Sequence, residues 1–257
     1  MRGKTPKEIA VMAEGGKRLG QILSELLADA KQTVRLEELE AKADKRIQEL
    51  GGLPSFKTVK NYRWATCLCV NDVVVHGVPS TYALKHGDVL TVDVGMIYGG
   101  LHTDTAWTIV IGVNDGSEQY NERERFLTAG RLALREAFGQ AIAGNRVGHI
   151  SMAISAAVRK AGYSIVRSLV GHGVGKNLHE DPQIPGMLVQ PLERTPLLVK
   201  NMTIAIEVIY AQGDGQVSYD TQDGWSIVTK DGSLSAVFEH TIAITSGKPF
   251  VLTELAE

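Results

Sequence analysis

Two stretches of helical periodicity open the chain. Thr5, Pro6 and Glu8 have the sequence of an N-cap, a first-turn proline and a capping box, and they predict a helix over residues 6–30. Apolar residues at helical spacing predict a second helix over residues 33–50, which ends at a pair of glycines. The first part of the chain is therefore predicted to form two amphipathic helices.

The pattern then changes to strands rich in valine, threonine and isoleucine, and the same plan occurs again further along the chain. The predicted elements are strands 66–75, 89–94 and 102–111, helices 121–143 and 147–161, and strands 164–170, 202–210, 225–229 and 235–245. A helix–helix–strand plan that occurs twice predicts an α/β (α+β) protein. Its two related halves would pack helices against a largely antiparallel sheet.

Residues 171–200 show neither helical nor strand periodicity, and they contain four prolines. The sequence predicts a long irregular loop here. In a compact domain such a loop is more often functional than idle. Two histidines, His172 and His179, lie within it or at its start.

Composition narrows the class of protein. The 257 residues are 44% hydrophobic and 22% charged, which is typical of a soluble globular protein and fits one domain spanning residues 1–257. A net charge of -2 gives no reason to expect nucleic-acid specificity or binding to an anionic membrane. Cys67 and Cys69 are too close on one strand for an ordinary disulfide. Charged residues interrupt every apolar run near the N-terminus, so we expect a cytoplasmic protein with no membrane span.

Four predicted strands each carry a carboxylate within an otherwise apolar run: Asp93, Asp104, Glu207 and Glu239. Alternation places each acid on one face with small or β-branched side chains. Any one of them alone would be expected to face water. Four together, with no lysine or arginine nearby in sequence, favour bound cations because a buried ionised carboxylate without a partner is strongly destabilising. Four negative charges match two divalent ions, and one imidazole would complete the site.

Three of the seven histidines are candidates for that imidazole. His172 lies between glycines in the stretch 171–175, which allows unusual backbone angles and close approach to a ligand. His179 follows in the same loop, and His76 lies between a strand and a turn. A lone histidine in either of those two places is more often structural. The others are expected to be structural or solvated: His86, His102, His149 and His240.

Several motifs along the chain match one known family. They are Lys4–Pro6, Pro54–Phe56, Asn71–Pro79, Asp93 with Asp104, Gly171–Gly173, His179–Glu180, Ser233–Ser235 and Phe238–Thr241. Together they cover essentially the whole chain, and they resemble the methionine aminopeptidases, in particular the short type I form found in bacteria. The resemblance implies the pita-bread fold, with pseudo-twofold halves, a curved sheet and a dimetal centre at the middle of that sheet.

The resemblance also implies which residues bind metal and act on the substrate. The metal ligands would be Asp93, Asp104, His172, Glu207 and Glu239, with Asp104 and Glu239 shared by two divalent ions (Co, Mn, Fe or Zn). Glu207 would also shuttle protons. His179 would hydrogen-bond the developing oxyanion, and His76 would contact the backbone nitrogen beyond the scissile bond.

A methionine pocket and a second cation site follow by the same resemblance. The pocket would be lined by Phe56, Tyr62, Cys67, His76 and Trp225. From the residues alone, these side chains could equally be ordinary core packing. In some relatives a monovalent cation is held at the positions that match Asn71, Val73 and Ser235.

The implied activity is hydrolysis of the N-terminal methionine from nascent proteins and peptides, by a water that the metal ions activate. We expect a cytoplasmic monomer whose partners are the N-termini of nascent polypeptides, with transient ribosome contact as a further expectation. One alternative is an Xaa-Pro aminopeptidase of the same fold, although such enzymes usually carry an additional N-terminal domain. Another is a non-catalytic binding protein of this fold, although such proteins typically lose metal ligands.

The sequence departs from the family pattern near the pocket and not at the ligands. Lys57, Thr58 and Val59 replace a stretch that usually contains Gly-Tyr, Leu178 stands where phenylalanine is common, and Val208 replaces the usual proline after the metal-binding glutamate. We therefore expect intact metal chemistry and altered pocket walls.

Overall fold

The helices and strands of the computed structural model, which describes residues 3–220 and 222–256, follow the predicted plan. Within those residues the α-helices are α1 (Pro6–Asp29), α2 (Leu36–Glu49), α3 (Glu118–Gln140) and α4 (Val147–Lys160). The strands are β1 (Leu53–Pro54), β2 (Thr66–Val70), β3 (Val73–Val75), β4 (Val89–Tyr98), β5 (Leu101–Val110), β6 (Ser164–Ile165), β7 (Val170–Gly173), β8 (Glu180–Pro185), β9 (Thr203–Ala211), β10 (Val217–Tyr219), β11 (Ile227–Thr229), β12 (Ser235–Ala243) and β13 (Phe250–Val251). Short 3-10 helices lie at Phe56–Thr58 and Leu192–Arg194.

Helix α1 begins where the capping signal predicts. The Thr5 hydroxyl accepts a hydrogen bond from the Glu8 backbone N–H at 3.2 Å, and the Glu8 carboxylate accepts one from the Thr5 N–H at 2.7 Å. Both donors would otherwise lack an intrahelical partner. The predicted capping box is confirmed, and it fixes the direction in which the chain enters the helix.

The sheet that carries the site has the strand order β1-β4-β5-β12-β9-β7-β8, with β2 paired to β4, β6 to β9 and β13 to β12. The described pairs are antiparallel, as expected. A smaller sheet has the order β10-β11-β3. The chain thus forms an α/β fold with a largely antiparallel sheet.

Two similar halves meet in the middle of the large sheet. In the first half, α1 and α2 precede the β4–β5 hairpin, and in the second half α3 and α4 precede the β9–β12 pair. The halves join where β12 pairs with β5, at Glu239–Ala106 and His240–Thr105. The boundary between the halves therefore lies at the centre of the sheet, and each half contributes one strand to it.

The helices cover one face of the sheet. Leu90, Val92, Val94 and Met96 of β4 pack against α1 and α2 in one apolar cluster. The same face of β9 and β12 packs against α3 and α4 in a second cluster that contains Ile206, Val208 and Phe238. Each fully buried side chain of this size stabilises the fold by about 1.5–3 kcal/mol. Because side chains alternate along a strand, the residues between these positions point away from the helices.

Two expectations about strands are wrong. The strand predicted over 66–75 is interrupted, because Asn71 has a left-handed backbone (φ 59°) that ends β2 before β3 begins. Residues 171–200 are not an entirely irregular loop, since they include most of β7 and all of β8. The glycines of β7 and the prolines of β8 interrupt the alternating pattern by which a strand is predicted. Pro182 is tolerated because β8 is an edge strand.

The described part of the chain has no helix that is long and apolar enough to cross a membrane.

Candidate metal centre

The four strand carboxylates lie on the face of the sheet that is turned away from the helices. Glu239 is directly opposite Glu207 on β9 and opposite Ala106 on β5. Asp93 on β4 is also opposite Ala106. Directly opposed residues of antiparallel strands point to the same side of a sheet, and Asp104 points to that side because it is two residues from Ala106. The acids of four neighbouring strands therefore converge at the centre of the sheet.

His172 brings an imidazole to the same place from β7. It lies opposite Ala205, two residues from Glu207, and its Nε2 atom is 3.5 Å from Glu207 Oε1 and 3.9 Å from Asp104 Oδ2. Its Nδ1 donates a hydrogen bond to the Gly173 carbonyl at 2.9 Å. That bond orients the ring and leaves Nε2 as the free acceptor that faces the carboxylates.

The ligand atoms are close enough to share an ion. Asp104, His172 and Glu239 each offer one ligand atom, and these atoms all lie within 4.8 Å of one another. The side chains of Asp104 and Glu239 are buried. One nitrogen and several carboxylate oxygens form the donor set that divalent transition-metal ions accept in proteins.

Burial and mutual repulsion disfavour the charged forms of all four acids. Burial raises the pKa of Asp104 to about 7. Burial and the charge of Asp104 raise the pKa of Asp93, Glu207 and Glu239 well above the usual range. Burial also lowers the pKa of His172 to about 4, so the ring is neutral at pH 7. Bound cations would remove this penalty and stabilise the four acids as carboxylates.

Among the described residues, no lysine or arginine side chain supplies the positive charge that these four acids would need. Asp104 and Glu207 contact the neutral His172 ring, and among the described residues none of the four acids is paired with lysine or arginine. Two buried oxygens, Asp93 Oδ1 and Glu239 Oε1, have no hydrogen-bond partner among the described groups. A buried polar atom without a partner costs about 1–3 kcal/mol. These residues therefore fit a site for divalent ions.

A cavity of about 160 Å³ opens from the carboxylates. Its lining includes every residue that the family resemblance implies for the pocket, namely Phe56, Tyr62, Cys67, His76 and Trp225. It is also lined by all five candidate ligands and by His179. Three further lining residues complete its apolar wall: Val59, Val75 and Leu178. Val75 is a lining residue that the sequence pattern does not indicate; its only signal is its position at the end of β3, directly before His76.

Aromatic packing holds the wall of the cavity in place. The Tyr62 ring meets the rings of Trp64 and Trp225 edge-on, each at a centroid distance of 5.1 Å. The Tyr62 hydroxyl donates to the Thr66 carbonyl at 2.8 Å and also contacts the Cys67 sulfur at 3.2 Å. With its polar group satisfied, Tyr62 presents an apolar ring to the cavity. The aromatic wall of the cavity thus suits an apolar side chain, and the part lined by the carboxylates suits cations.

Two histidines lie where the cavity meets the acids. The His179 ring is 4.5 Å from the His172 ring, centroid to centroid, and nearly perpendicular to it. His76 has a left-handed backbone (φ 58°), which follows β3 directly. Burial lowers the pKa of both residues, and the nearby His179 lowers that of His76 further. Both rings are therefore neutral at pH 7 and can donate a hydrogen bond.

Three of the five altered positions do not reach the cavity. The Lys57 ammonium pairs with Asp44 at 2.7 Å, the Thr58 hydroxyl donates to the Ser55 carbonyl at 2.7 Å, and Val208 packs in the helix-facing core. The expectation that these three change the pocket walls is wrong. Val59 and Leu178 do line the cavity, so they are the altered residues that act on its shape.

The residues of the expected monovalent-cation site are brought together. The Ser235 hydroxyl lies 3.2 Å from the Asn71 carbonyl oxygen and 3.0 Å from the Val73 carbonyl oxygen. The break between β2 and β3 at Asn71 is what turns these carbonyls toward β12.

The four remaining histidines have protein partners, as expected of structural residues. His149 Nδ1 accepts from the Arg146 N–H at 3.0 Å, His86 Nε2 is 3.1 Å from Asp115, and His240 Nδ1 is 3.1 Å from the Thr253 hydroxyl. His102 Nδ1 bonds to the Ser55 hydroxyl. None of the four lines the cavity.

Comparison with known proteins finds similar chains over nearly the full length of this one. Residues 10–246 match the model of metallopeptidase family M24. Methionine aminopeptidase 1 of Bacillus subtilis is 37% identical over 253 residues, which is 98% of each chain. The methionine aminopeptidase of Clostridium perfringens is 37% identical over 97% of each chain. The crystal structure of methionine aminopeptidase from Thermotoga maritima superposes with a TM-score of 0.92 at 38% identity, covering 99% of both chains, so the pita-bread fold is confirmed. With such agreement over nearly its full length, this chain belongs to metallopeptidase family M24, among the methionine aminopeptidases.

Proposed function

We propose that this protein hydrolyses the N-terminal methionine from nascent proteins and peptides at a centre of two divalent metal ions. The observation that carries the proposal is the convergence of four carboxylates and one imidazole on the uncovered face of the sheet, beside an apolar cavity. Relatives named methionine aminopeptidases, at 37% identity, support the same substrate for this chain. We further propose a single catalytic domain that works as a monomer in the cytoplasm.

Asp93, Asp104, His172, Glu207 and Glu239 would hold the two ions, with Asp104 and Glu239 shared between them. Bound divalent ions lower the pKa of a water and polarise the scissile carbonyl, which is the chemistry that peptide hydrolysis needs. Mn, Fe, Co and Zn all suit this donor set, and metal supply would decide among them.

The protein's own groups would handle protons and position the substrate. Glu207 lines the cavity and lies 3.5 Å from His172 Nε2, so it could accept a proton from the attacking water and pass it to the leaving amine. The neutral His179 could donate a hydrogen bond to the developing oxyanion. His76, which also lines the cavity, could contact the backbone nitrogen beyond the scissile bond.

The apolar wall would select the substrate's first side chain. Phe56, Tyr62 and Trp225 offer ring faces and edges, and Cys67 offers a polarisable sulfur, which together suit a flexible thioether. Leu178, in place of the common phenylalanine, gives this wall a smaller and more flexible side chain. We propose that methionine remains the preferred residue.

A monovalent cation is a further part of the proposal. The carbonyl oxygens of Asn71 and Val73, with the Ser235 hydroxyl, form an oxygen cluster next to the strand that carries Glu239. An ion there would stiffen the junction of β3 with β12.

Two other functions remain to be compared with this one. An Xaa-Pro aminopeptidase would use the same five ligands, and a non-catalytic binding protein would keep the fold without turnover. The retention of all five ligands in one place argues against the second alternative.

One assay separates the three functions. Purified protein, stripped of metal and titrated with Mn, Fe, Co or Zn, is incubated with Met-Ala-Ser and, separately, with an Xaa-Pro peptide. We expect release of free methionine that depends on added metal. Faster cleavage of the Xaa-Pro peptide would support the first alternative. Inactivity on every methionine-initiated peptide, with retained binding of a macromolecular partner, would support the second.

A further inference from the structure

An ion pair ties the segment before α1 to the turn that carries His179. The Lys4 ammonium lies 2.6 Å from Glu180 Oε2, and the two side chains are only 15% and 21% exposed. Lys4 is itself anchored, because its backbone N–H donates to the Asn201 carbonyl at 2.8 Å. A pair this short and this sheltered is less screened by water and salt than an ion pair on the surface.

Glu180 also closes the turn between β7 and β8. Its other carboxylate oxygen accepts the Asn177 N–H at 3.1 Å, and the Gly175 N–H donates to the Asn177 carbonyl at 3.1 Å. Burial would raise the pKa of Glu180, but the hydrogen bonds from Lys4 and Asn177 outweigh it, so the net pKa is lowered and the carboxylate stays charged. The carboxylate thus fixes the turn from within, and Lys4 fixes it from outside.

This turn carries two residues of the candidate site. Leu178 lines the apolar part of the cavity, and His179 lies beside His172. They are the two residues that immediately precede Glu180 in the chain. A turn that moved by about 1 Å would displace the His179 ring, and errors of that size in catalytic geometry can cost about a hundredfold in rate.

Gly175 shows how closely the pair is packed against the turn. A Cβ atom at this glycine would lie 2.4 Å from the Lys4 Nζ atom and 3.0 Å from the Glu180 Oε1 atom. A side chain at position 175 would therefore displace the end of the Lys4 side chain from its present place. The space for this ion pair is therefore provided by the turn itself.

We propose that Lys4 and Glu180 are positioning residues that hold His179 in its working orientation. The proposal rests on the function proposed above. It assigns a role to Lys4, which does not line the cavity. Lys4 acts through Glu180 and the turn, and it touches neither the substrate nor the ligands.

The experiment compares Lys4→Met with Lys7→Met in the metal-loaded enzyme. Lys7 is an exposed lysine on the first turn of α1, so its substitution removes the same charge without touching the turn. We expect Lys4→Met to lower kcat by about ten- to a hundredfold with a smaller change in KM. The reason is that the variant loses the correct orientation of the His179 ring, which acts in the transition state. Lys4→Arg should restore most of the rate, and Lys7→Met should resemble the wild type.

Combining variants tests whether the effect passes through His179. In a His179→Ala background, Lys4→Met should cause little further loss of kcat, since the group it positions is already gone. Equal losses in both backgrounds would overturn the proposal, and so would a wild-type kcat in Lys4→Met. Gly175→Ala, which keeps both charges but takes up their space, should resemble Lys4→Met.

A measurement without turnover separates this inference from the proposed function. In metal-free protein, hydrogen exchange of the Asn177 and Gly175 amides should accelerate in Lys4→Met and not in Lys7→Met. Unchanged exchange would refute the positioning role even if the enzyme is active. An inactive wild type with the expected exchange difference would instead refute the proposed function alone.

Discussion

Asp104 is the carboxylate that most affects the charge of the candidate metal centre. Its charge contributes to the raised pKa of Asp93, Glu207 and Glu239. It also lies with His172 in the group of ligand atoms within 4.8 Å. Substitutions at this residue therefore change both the ligand set and the electrostatics of its neighbours.

We predict that Asp104→Ala and, separately, Glu239→Ala abolish turnover of Met-Ala-Ser, because each removes a carboxylate proposed to be shared by both ions. Calorimetric titration with Mn should show weaker binding and a lower number of bound ions than in the wild type. Asp115→Asn, at an exposed acid far from the cavity, is the control. Wild-type rates in either alanine variant would exclude the proposed centre.

At the residue scale, some of the site was predictable and some was not. An acid within an apolar strand, such as Asp93 or Glu239, is visible in a single sequence because alternation is regular. The contact of Lys4 with Glu180 joins residues 176 positions apart, and no local pattern indicates it. The orientation of Val208 toward the helices follows from alternation relative to Glu207, yet its place beside a ligand suggested a pocket role.

The capping box of α1 lends itself to a test at the scale of a single element. We predict that Thr5→Ala lowers the free energy of unfolding by about 1 kcal/mol, because the Glu8 N–H loses its acceptor at the helix terminus. Urea unfolding followed by circular dichroism measures the change. Thr5→Ser keeps the hydroxyl and should retain most of the stability. Equal stabilities of the alanine and serine variants would show that the cap contributes little.

Strand prediction failed where glycine and proline occur within elements. β7 contains Gly171 and Gly173, and β8 contains Pro182 and Pro185, so neither has the β-branched composition that identifies a strand. Tertiary pairing with β9 stabilises β7 despite its composition. Helix prediction was better, because α1 and α4 keep an apolar stripe and clear termini throughout.

The whole molecule should become less stable as pH rises when metal is removed. The four acids have a raised pKa in the folded state, about 7 for Asp104, so the folded protein binds more protons than the unfolded chain above pH 4. Their protonation therefore stabilises the fold at low pH, and this contribution is lost as pH rises through the folded pKa values. Buried histidines such as His172 have lowered pKa values and act in the opposite direction, but only below their usual value of 6.5.

We therefore predict that the free energy of unfolding of chelator-treated protein falls as pH rises from about 6.5 through neutrality. Urea titrations across that range measure it. Asp104→Asn, which is neutral at every pH, should show a weaker dependence, and added Mn should stabilise the wild type most at the upper end. A flat profile for the metal-free wild type would mean that the acids are not desolvated as described.

Each half of the sheet supplies two of the four acids: β4 and β5 carry Asp93 and Asp104, and β9 and β12 carry Glu207 and Glu239. Ions held by all four would therefore crosslink the halves across the pairing of β5 with β12. Such a crosslink makes the unfolding of one half conditional on that of the other, so the loaded protein would melt in a single cooperative transition. Catalysis and the cooperative unfolding of the two halves would then depend on the same metal–carboxylate bonds.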